Sequence, residues 1–112
     1  MKEQLKKFVE DNKKLVTMRE SQSFPGLYVL KYSKKVFYDN LWDDMLEECR
    51  GTIVDKDFNV VSRPFTKVYN YGVEDKSPIF EDSDYVTAYR KVNGFMVAMT
   101  VYNGKLIVST TG

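Results

Sequence analysis

The stretch YVTAYRKVNGFMVAMTVY, residues 85–102, decides how the second half of this sequence is expected to fold. Two apolar, β-rich runs, at 85–88 and 95–102, flank a polar segment that contains Lys91, Asn93 and Gly94. Asn-Gly is the strongest short-range signal for a tight β-hairpin, because both residues tolerate positive φ. The pattern therefore predicts a hairpin with Lys91 at its turn. A lysine in this position can present an amine to a bound phosphate, although most lysines near turns are simply solvated.

A second Asn-Gly pair, Asn103-Gly104, follows the run 95–102 and precedes another apolar run. We therefore predict a three-stranded meander with strands at 85–91, 95–102 and 105–110. The last of these strands is followed by no segment that would cover an apolar sheet. We expect residues 1–112 to be the front part of a larger domain.

Residues upstream of the meander show further strand signals, namely β-branched and aromatic side chains bounded by turn residues. The strands predicted in this way are 27–32, a short one at 36–38, 49–54, and 58–62, which returns after a turn at 55–57. Residues 39–48 are acidic with a few apolar anchors and predict a loop or a short helix. Their carboxylates show no regular ligand spacing, so we assign no metal site to them.

Residues 2–18 predict an amphipathic helix, because apolar side chains recur at helical spacing while lysines and acids occupy the other face. The apolar positions are Leu5, Phe8, Val9, Leu15 and Val16. This helix and the predicted strands together indicate an α+β fold, with one N-terminal helix and a mostly antiparallel sheet. At 112 residues the sequence is one domain at most.

The composition narrows the possible chemistry. The 17 basic and 16 acidic residues nearly balance, so only a local basic surface would favour nucleic acid. The absence of histidine excludes Ser-His and Cys-His nucleophile activation and most zinc sites. The single cysteine, Cys49, is expected to be a small buried residue and suits a reducing compartment such as the cytoplasm. Because no run of about 18 apolar residues occurs, no membrane partner is expected.

Lysine, arginine and carboxylates are left to carry any chemistry, and the common glycine-rich phosphate loops are absent. Three basic residues remain at strand or turn positions: Arg50, Lys67 and Lys91. If the sheet brings them together, two of these cations can bind a triphosphate and offset charge that develops on its α-phosphorus. Neighbouring positive charge and partial burial favour the neutral, nucleophilic form of a lysine. We expect Lys91 to attack the α-phosphate, with pyrophosphate as the leaving group.

Three segments around these residues carry a family resemblance: ECRGT at 48–52, SRPFTKVYN at 62–70 and KVNG at 91–94. In order and approximate spacing they resemble the ATP-dependent RNA ligases of the phage tRNA-repair type. The resemblance runs from about Trp42 to Gly112. Each motif is weak alone, and the three in register are more specific.

The resemblance implies an incomplete nucleotidyltransferase domain of the ATP-grasp-like ligase class, with residues 1–112 as the N-terminal portion of its adenylation domain. In this family a lysine forms a covalent lysyl–AMP intermediate with ATP and Mg²⁺ as cofactors. The adenylate then passes to an RNA 5′-phosphate, and a 3′-hydroxyl displaces AMP, as in RNA and tRNA repair. RNA is therefore the implied partner.

By position in the motifs, Lys91 matches the family's nucleophile. The residues that match its nucleotide contacts are Arg50 and Lys67 at the phosphates, Tyr69 beside them, and Asn93 and Gly94 within the lysine motif. Gly94 would let the backbone approach the nucleotide closely. Residues 109–112 resemble the family's following motif, near the ribose and phosphates.

This sequence departs from the family pattern in two ways. The usual motif is Lys-x-Asp-Gly, whereas Asn93 gives the Lys-x-Asn-Gly form, which is similar to that of fungal-type tRNA ligases. The later motifs, which supply acidic residues for Mg²⁺, an adenine-stacking aromatic and further basic residues, do not occur before Gly112. We therefore expect residues 1–112 alone not to complete ligation.

Two other functions stay open on the residues alone. A non-catalytic nucleotide- or RNA-binding module would retain Arg50, Lys67 and exposed aromatics without needing a nucleophilic Lys91. An interaction domain without either ligand would use the same motifs as ordinary turns and strand ends.

Overall fold

A computed structural model describes residues 2–72 and 77–111. In chain order its elements are α1 (Lys2–Asp11), β1 (Val16–Glu20), β2 (Leu27–Tyr32), α2 (Lys34–Tyr38), α3 (Asp44–Glu48), β3 (Arg50–Asp55), β4 (Val60–Ser62), β5 (Ala98–Tyr102) and β6 (Lys105–Ser109). The strands form two antiparallel sheets, one in the order β1-β2-β3-β4 and one containing β5 and β6. The predicted α+β class, with an N-terminal helix and antiparallel sheets, is confirmed.

The four-stranded sheet has apolar side chains on both faces, because β2 and β3 alternate between two clusters. Leu30 and Val54 are fully buried on the face that also packs α1, through Leu5 and Val9. Ile53 lies on the other face, in a smaller cluster. That cluster contains Leu27, Ile53 and Ile107, so the β5–β6 hairpin packs against the side of the sheet opposite α1.

The predicted N-terminal helix is too long, because it ends at Asp11 and residues 16–20 form β1. The Asn12 side chain donates a hydrogen bond to the Phe8 carbonyl at 2.9 Å, and the Asn12 carbonyl accepts from Leu15 and Val16. This turn reverses the chain and lets the β-branched run from Val16 pair with β2.

The predicted strand at 36–38 is also wrong, since Lys34–Tyr38 is the short helix α2. Val36 is completely buried in the main core, and Lys35 forms an ion pair with Asp39 at 2.9 Å along the helix. Core packing of one residue thus overrides the β preference of the Val-Phe-Tyr sequence. The strands predicted at 27–32 and 49–54, and the short helix within 39–48, are confirmed.

The predicted three-stranded meander is only partly correct. β5 and β6 form the second hairpin around Asn103-Gly104, where both residues have positive φ (51° and 75°). Residues 81–97 are all exposed and contain neither helix nor strand. Lys91 therefore does not lie at a hairpin turn, and Gly94 has a φ of 151°, a backbone conformation that L side chains rarely adopt. The acidic, turn-rich sequence of residues 73–83 predicts a connection, and residues 73–76 of it lie outside the described residues.

Candidate functional site

Lys67 lies between two aromatic rings. Its Nζ is 4.4 Å from the centroid of the Trp42 ring and 5.0 Å from that of Tyr69. An ammonium over the face of an aromatic ring is attracted by the ring quadrupole. Within the described part of the chain, Lys67 forms no ion pair with a carboxylate. Its charge is thus positioned without being neutralised, which is the state needed to receive an anion.

Helix α3 supports this pair of rings. The Asp43 carboxylate caps the helix by accepting a hydrogen bond from the Leu46 backbone N–H at 2.8 Å. Glu47, on the same helix, accepts a hydrogen bond from the Tyr69 hydroxyl at 2.6 Å. The Glu47 carbonyl also accepts from the Lys67 backbone N–H at 3.3 Å. Residues 67 and 69 are therefore tied to α3 by both backbone and side chain.

Arg50 begins β3 directly after α3. Its Nη1 donates a hydrogen bond to the Thr66 carbonyl at 3.2 Å, next to Lys67. Its Nε is buried and has no hydrogen-bond partner among residues 2–72 and 77–111. A buried cationic N–H without a partner is costly, so this guanidinium is held with part of its hydrogen-bonding capacity unused. Arg50 and Lys67 therefore fit an anionic group such as a polyphosphate.

The end of β6 reaches the same region. Gly51 has a φ of +96°, and a Cβ built there would lie 3.0 Å from the Thr111 Cγ2 and 3.3 Å from the Thr111 Cα. Only glycine permits this backbone conformation together with so close an approach. The resemblance-based motif at 109–112 thus lies beside Arg50, as far as its described residues extend.

An ion pair fixes the start of the segment that follows β4. The Arg63 guanidinium forms a two-point ion pair with Glu48: Nε lies 2.7 Å from Oε2, and Nη2 contacts Oε1. This pairing holds the residue that follows β4 against the C-terminal end of α3. The paired geometry of guanidinium and carboxylate makes it a directional contact.

The structure brings together three of the six residues predicted for the site: Arg50, Lys67 and Tyr69. Lys91, Asn93 and Gly94 lie in the exposed segment 81–97 and outside this cluster. A cleft of about 380 Å³, lined by residues 61–65 and 96–100, connects the two groups of residues. It places the residues that follow Lys91 alongside the residues that precede Lys67. The Thr100 hydroxyl donates to the Val61 carbonyl at 3.3 Å across this cleft.

Sequence reasoning missed Trp42 and Glu47. Trp42 is the only tryptophan of the chain and precedes an acidic helix that leads directly into Arg50. A lone tryptophan beside a basic motif is a usable signal for cation binding. The hydrogen bond between Glu47 and Tyr69 joins residues 22 positions apart, so no short sequence motif predicts it.

Cys49 is fully buried, as predicted. Burial in the core raises the pKa of the Cys49 thiol to about 12, and the nearby Glu48 and Asp43 carboxylates add to the effect. The thiol is therefore protonated at neutral pH and is not a nucleophile.

Across the described residues, no group of three or more acidic or thiol side chains is arranged to hold a metal ion. None of the helices in this part of the chain is long and apolar enough to cross a membrane. No protein-family model, curated protein or solved structure matches this sequence.

Proposed function

We propose that this chain is the N-terminal part of the adenylation domain of an ATP-dependent RNA ligase. Its role is to bind ATP and carry the adenylate on Lys91 for transfer to an RNA 5′-phosphate. The observation that supports this proposal best is the cluster of Arg50, Lys67 and Tyr69, three residues that the motifs single out and that α3 and β3 hold together. Neither cation of this cluster is paired with a carboxylate in the described structure.

The proposed chemistry begins with the Lys91 amine, after it has lost its proton to solvent. Its lone pair attacks the α-phosphorus, a P–N bond forms, and the bond from the α-phosphorus to the bridging oxygen breaks as pyrophosphate leaves. Arg50 and Lys67 would hold the triphosphate and offset the negative charge of the transition state and leaving group. Magnesium supplies charge neutralisation in this chemistry, and the proposal assigns it no ligand from the described residues.

The proposal requires Lys91 to reach a phosphate that is bound by Arg50 and Lys67. The cleft between 61–65 and 96–100 supports this, because it places the residues that follow Lys91 next to the residues that precede Lys67. Residues 81–97 make few contacts of their own, so repositioning Lys91 would break little packing.

The exposure of Lys91 outside the cluster favours a second candidate, a non-catalytic nucleotide- or RNA-binding module. Such a module would use Arg50, Lys67 and the aromatic rings and would not depend on Lys91. The two functions differ in one measurable product, the covalent adduct.

Intact-mass spectrometry after incubation with ATP and Mg²⁺ tests the proposal, on residues 1–112 and on a C-terminally extended form. We expect a gain of one AMP that maps to Lys91 and disappears in Lys91→Ala. Lys105→Ala is the matched control, because Lys105 is another exposed lysine beside an Asn-Gly pair. An adduct that persists in Lys91→Ala would contradict the assignment. Binding of ATP without an adduct in either form would favour the module.

A further inference from the structure

A polar groove lies on the face of the four-stranded sheet that is opposite α1. It has a volume of about 570 Å³ and runs between β1–β2 on one side and residues 108–111 on the other. Its floor comes from Thr17, Arg19, Val29 and Lys31, whose register pairings place them on one face of the sheet. The groove adjoins Gly51, where Thr111 packs against the backbone.

Cations lie on three adjacent strands, and two of them line this groove. Arg19 is on β1 and Lys31 on β2, in diagonal positions, which corresponds to a separation of about 7–8 Å between neighbouring strands. Lys31 is in turn the register partner of Arg50 on β3, at the irregularity beside Gly51. Arg19, Lys31 and Arg50 thus form a row of cations that runs from the open groove to the candidate nucleotide site.

Among residues 2–72 and 77–111, no carboxylate forms an ion pair with any of these three cations. Like charges directly across two strands are unfavourable. Arg19 and Lys31 form no ion pair or side-chain hydrogen bond with any residue in 2–72 or 77–111. Glu20, the one acid that lines the groove, accepts a hydrogen bond from the Gly26 backbone N–H at 3.4 Å. An anion with several spaced charges would relieve the repulsion.

We propose that this groove binds the phosphate backbone of single-stranded RNA and leads the strand towards Arg50. Its lining contains hydroxyl groups, from residues such as Thr17, Ser109 and Thr111, but no aromatic ring. Bases are recognised in single strands mainly by stacking on aromatic side chains, so this groove contacts phosphate and sugar and is indifferent to sequence. The choice of RNA as the strand rests on the proposed function.

The double variant Arg19→Gln, Lys31→Gln tests the groove, since both side chains are exposed and neither contributes to the core. The matched control is Lys6→Gln, Lys7→Gln, which removes the same charge from exposed positions on α1. The probe is a fluorescent single-stranded RNA of about 12 nucleotides, a length within the range that one binding domain covers. Fluorescence anisotropy is measured between about 50 and 200 mM salt, where phosphate contacts dominate the salt dependence.

We expect the double variant to bind RNA about tenfold more weakly at 0.1 M salt, and the control to bind as the wild type does. Loss of two phosphate contacts should also make the dependence of log K on log salt shallower by about 1.4, at about 0.7 per contact. An unchanged affinity and slope, or no binding of RNA by the wild type, would overturn the inference.

Measurement of ATP binding tests whether the groove instead binds the triphosphate of ATP. If the double variant loses affinity for ATP and keeps its affinity for RNA, the groove is a triphosphate subsite and the inference is wrong. The adduct at Lys91 should form equally in the wild type and in the double variant. Failure of the adduct in both proteins would contradict the proposed ligase chemistry and would leave the RNA measurement of the groove unaffected.

Discussion

At the scale of single residues, Lys67 is positioned by the rings of Trp42 and Tyr69 and not by a carboxylate. A cation–π contact at a partly exposed site contributes about 0.5–1 kcal/mol. An ion pair of similar strength would hold the side chain equally well but would compete with any bound anion. The aromatic support therefore fits a site whose ligand is a phosphate.

Replacement of Trp42 should weaken ATP binding without unfolding the protein. Trp42→Leu keeps an apolar side chain against the core and removes the ring, so we expect affinity for ATP to fall about two- to fivefold, from the loss of about 0.5–1 kcal/mol. Trp42→Phe retains a ring and should restore most of the affinity. Calorimetric titration with ATP measures both. Equal losses in the two variants would show that the ring face does not matter.

In the wild type, Trp42 also provides an intrinsic probe of the site. It is the only tryptophan of the chain and lies against the Lys67 ammonium. We expect its fluorescence to change on addition of ATP and to stay unchanged in Lys67→Ala, in which the cation is absent. A full response in Lys67→Ala would place the phosphates elsewhere.

Asp55 makes folding stability sensitive to acid. Its carboxylate accepts hydrogen bonds from the Asn59 side chain and from the Asp57 and Asn59 backbones, each at 2.9 Å. The Asn59 side-chain bond is the main cause that lowers the pKa of Asp55 below its ordinary value. A carboxyl with a lowered pKa stabilises the folded state above its unfolded pKa, about 3.9. This contribution is lost as the pH falls through the folded pKa.

Asp55→Asn should therefore lose less stability on acidification than the wild type. Urea unfolding at neutral pH and below about pH 4 measures the difference. Asp57→Asn is the control, because the Asp57 side chain forms no hydrogen bond in the described structure. An acid response of Asp55→Asn identical to that of the wild type would contradict this role.

At the scale of elements, the two Asn-Gly pairs show how far the sequence could predict the fold. Asn103 adopts a φ of 51° and closes the β5–β6 hairpin, as its pattern predicts. Asn93-Gly94 has the same letters, yet residues 85–91 form no strand, so no hairpin closes there. A turn signal is local, whereas a strand needs a partner with an apolar face to cover. The Asn103-Gly104 pair has Leu27 and Ile53 beneath its strand β6, through Ile107, and no described residue provides such a surface for the Asn93-Gly94 pair.

The same contrast explains what could be predicted of the site. Arg50 and Lys67 were predicted from motif spacing. The hydrogen bond from Arg50 to the Thr66 carbonyl brings them together, because β3 and the residues that follow β4 are close in sequence and in space. The placement of Lys91 at a turn depended on the predicted hairpin, which does not form, and its role as the nucleophile stays a prediction. Trp42 and Glu47 act through contacts with residues more than 20 positions away, which no local pattern encodes.

Asn103→Ala and Asn93→Ala form a matched pair at this scale. Alanine in the left-handed conformation of Asn103 costs roughly 1–2 kcal/mol, so Asn103→Ala should lower the free energy of unfolding by about that amount. Asn93 has no positive φ, and Asn93→Ala should leave stability unchanged. Denaturant unfolding compares the two variants. A comparable loss in Asn93→Ala would indicate that the first hairpin forms in solution after all.

At the scale of the whole molecule, the chain is more extended than its length requires. The radius of gyration is 15.9 Å, against about 13 Å for a compact domain of this size. The four-stranded sheet has a core on each face, whereas residues 81–97 are exposed throughout, with apolar side chains such as Tyr85, Val92 and Phe95 among them. The proposed nucleophile thus lies in an exposed segment that contains neither helix nor strand.

Hydrogen exchange should therefore separate the chain into two stability levels. Backbone amides in the middle of β2 and β3 are bonded on both sides within the sheet and lie over buried side chains, so we expect them to exchange only through global unfolding. Amides of residues 85–97 have no strand partner and should exchange close to the rate of an unstructured peptide.

Mass-spectrometric exchange of the free chain measures both groups, and addition of ATP supplies the decisive comparison. If Lys91 moves to a triphosphate at Arg50 and Lys67, protection should rise around residues 89–95 and at 66–69 together. Protection that rises only at 66–69 would instead favour a binding module in which Lys91 has no part.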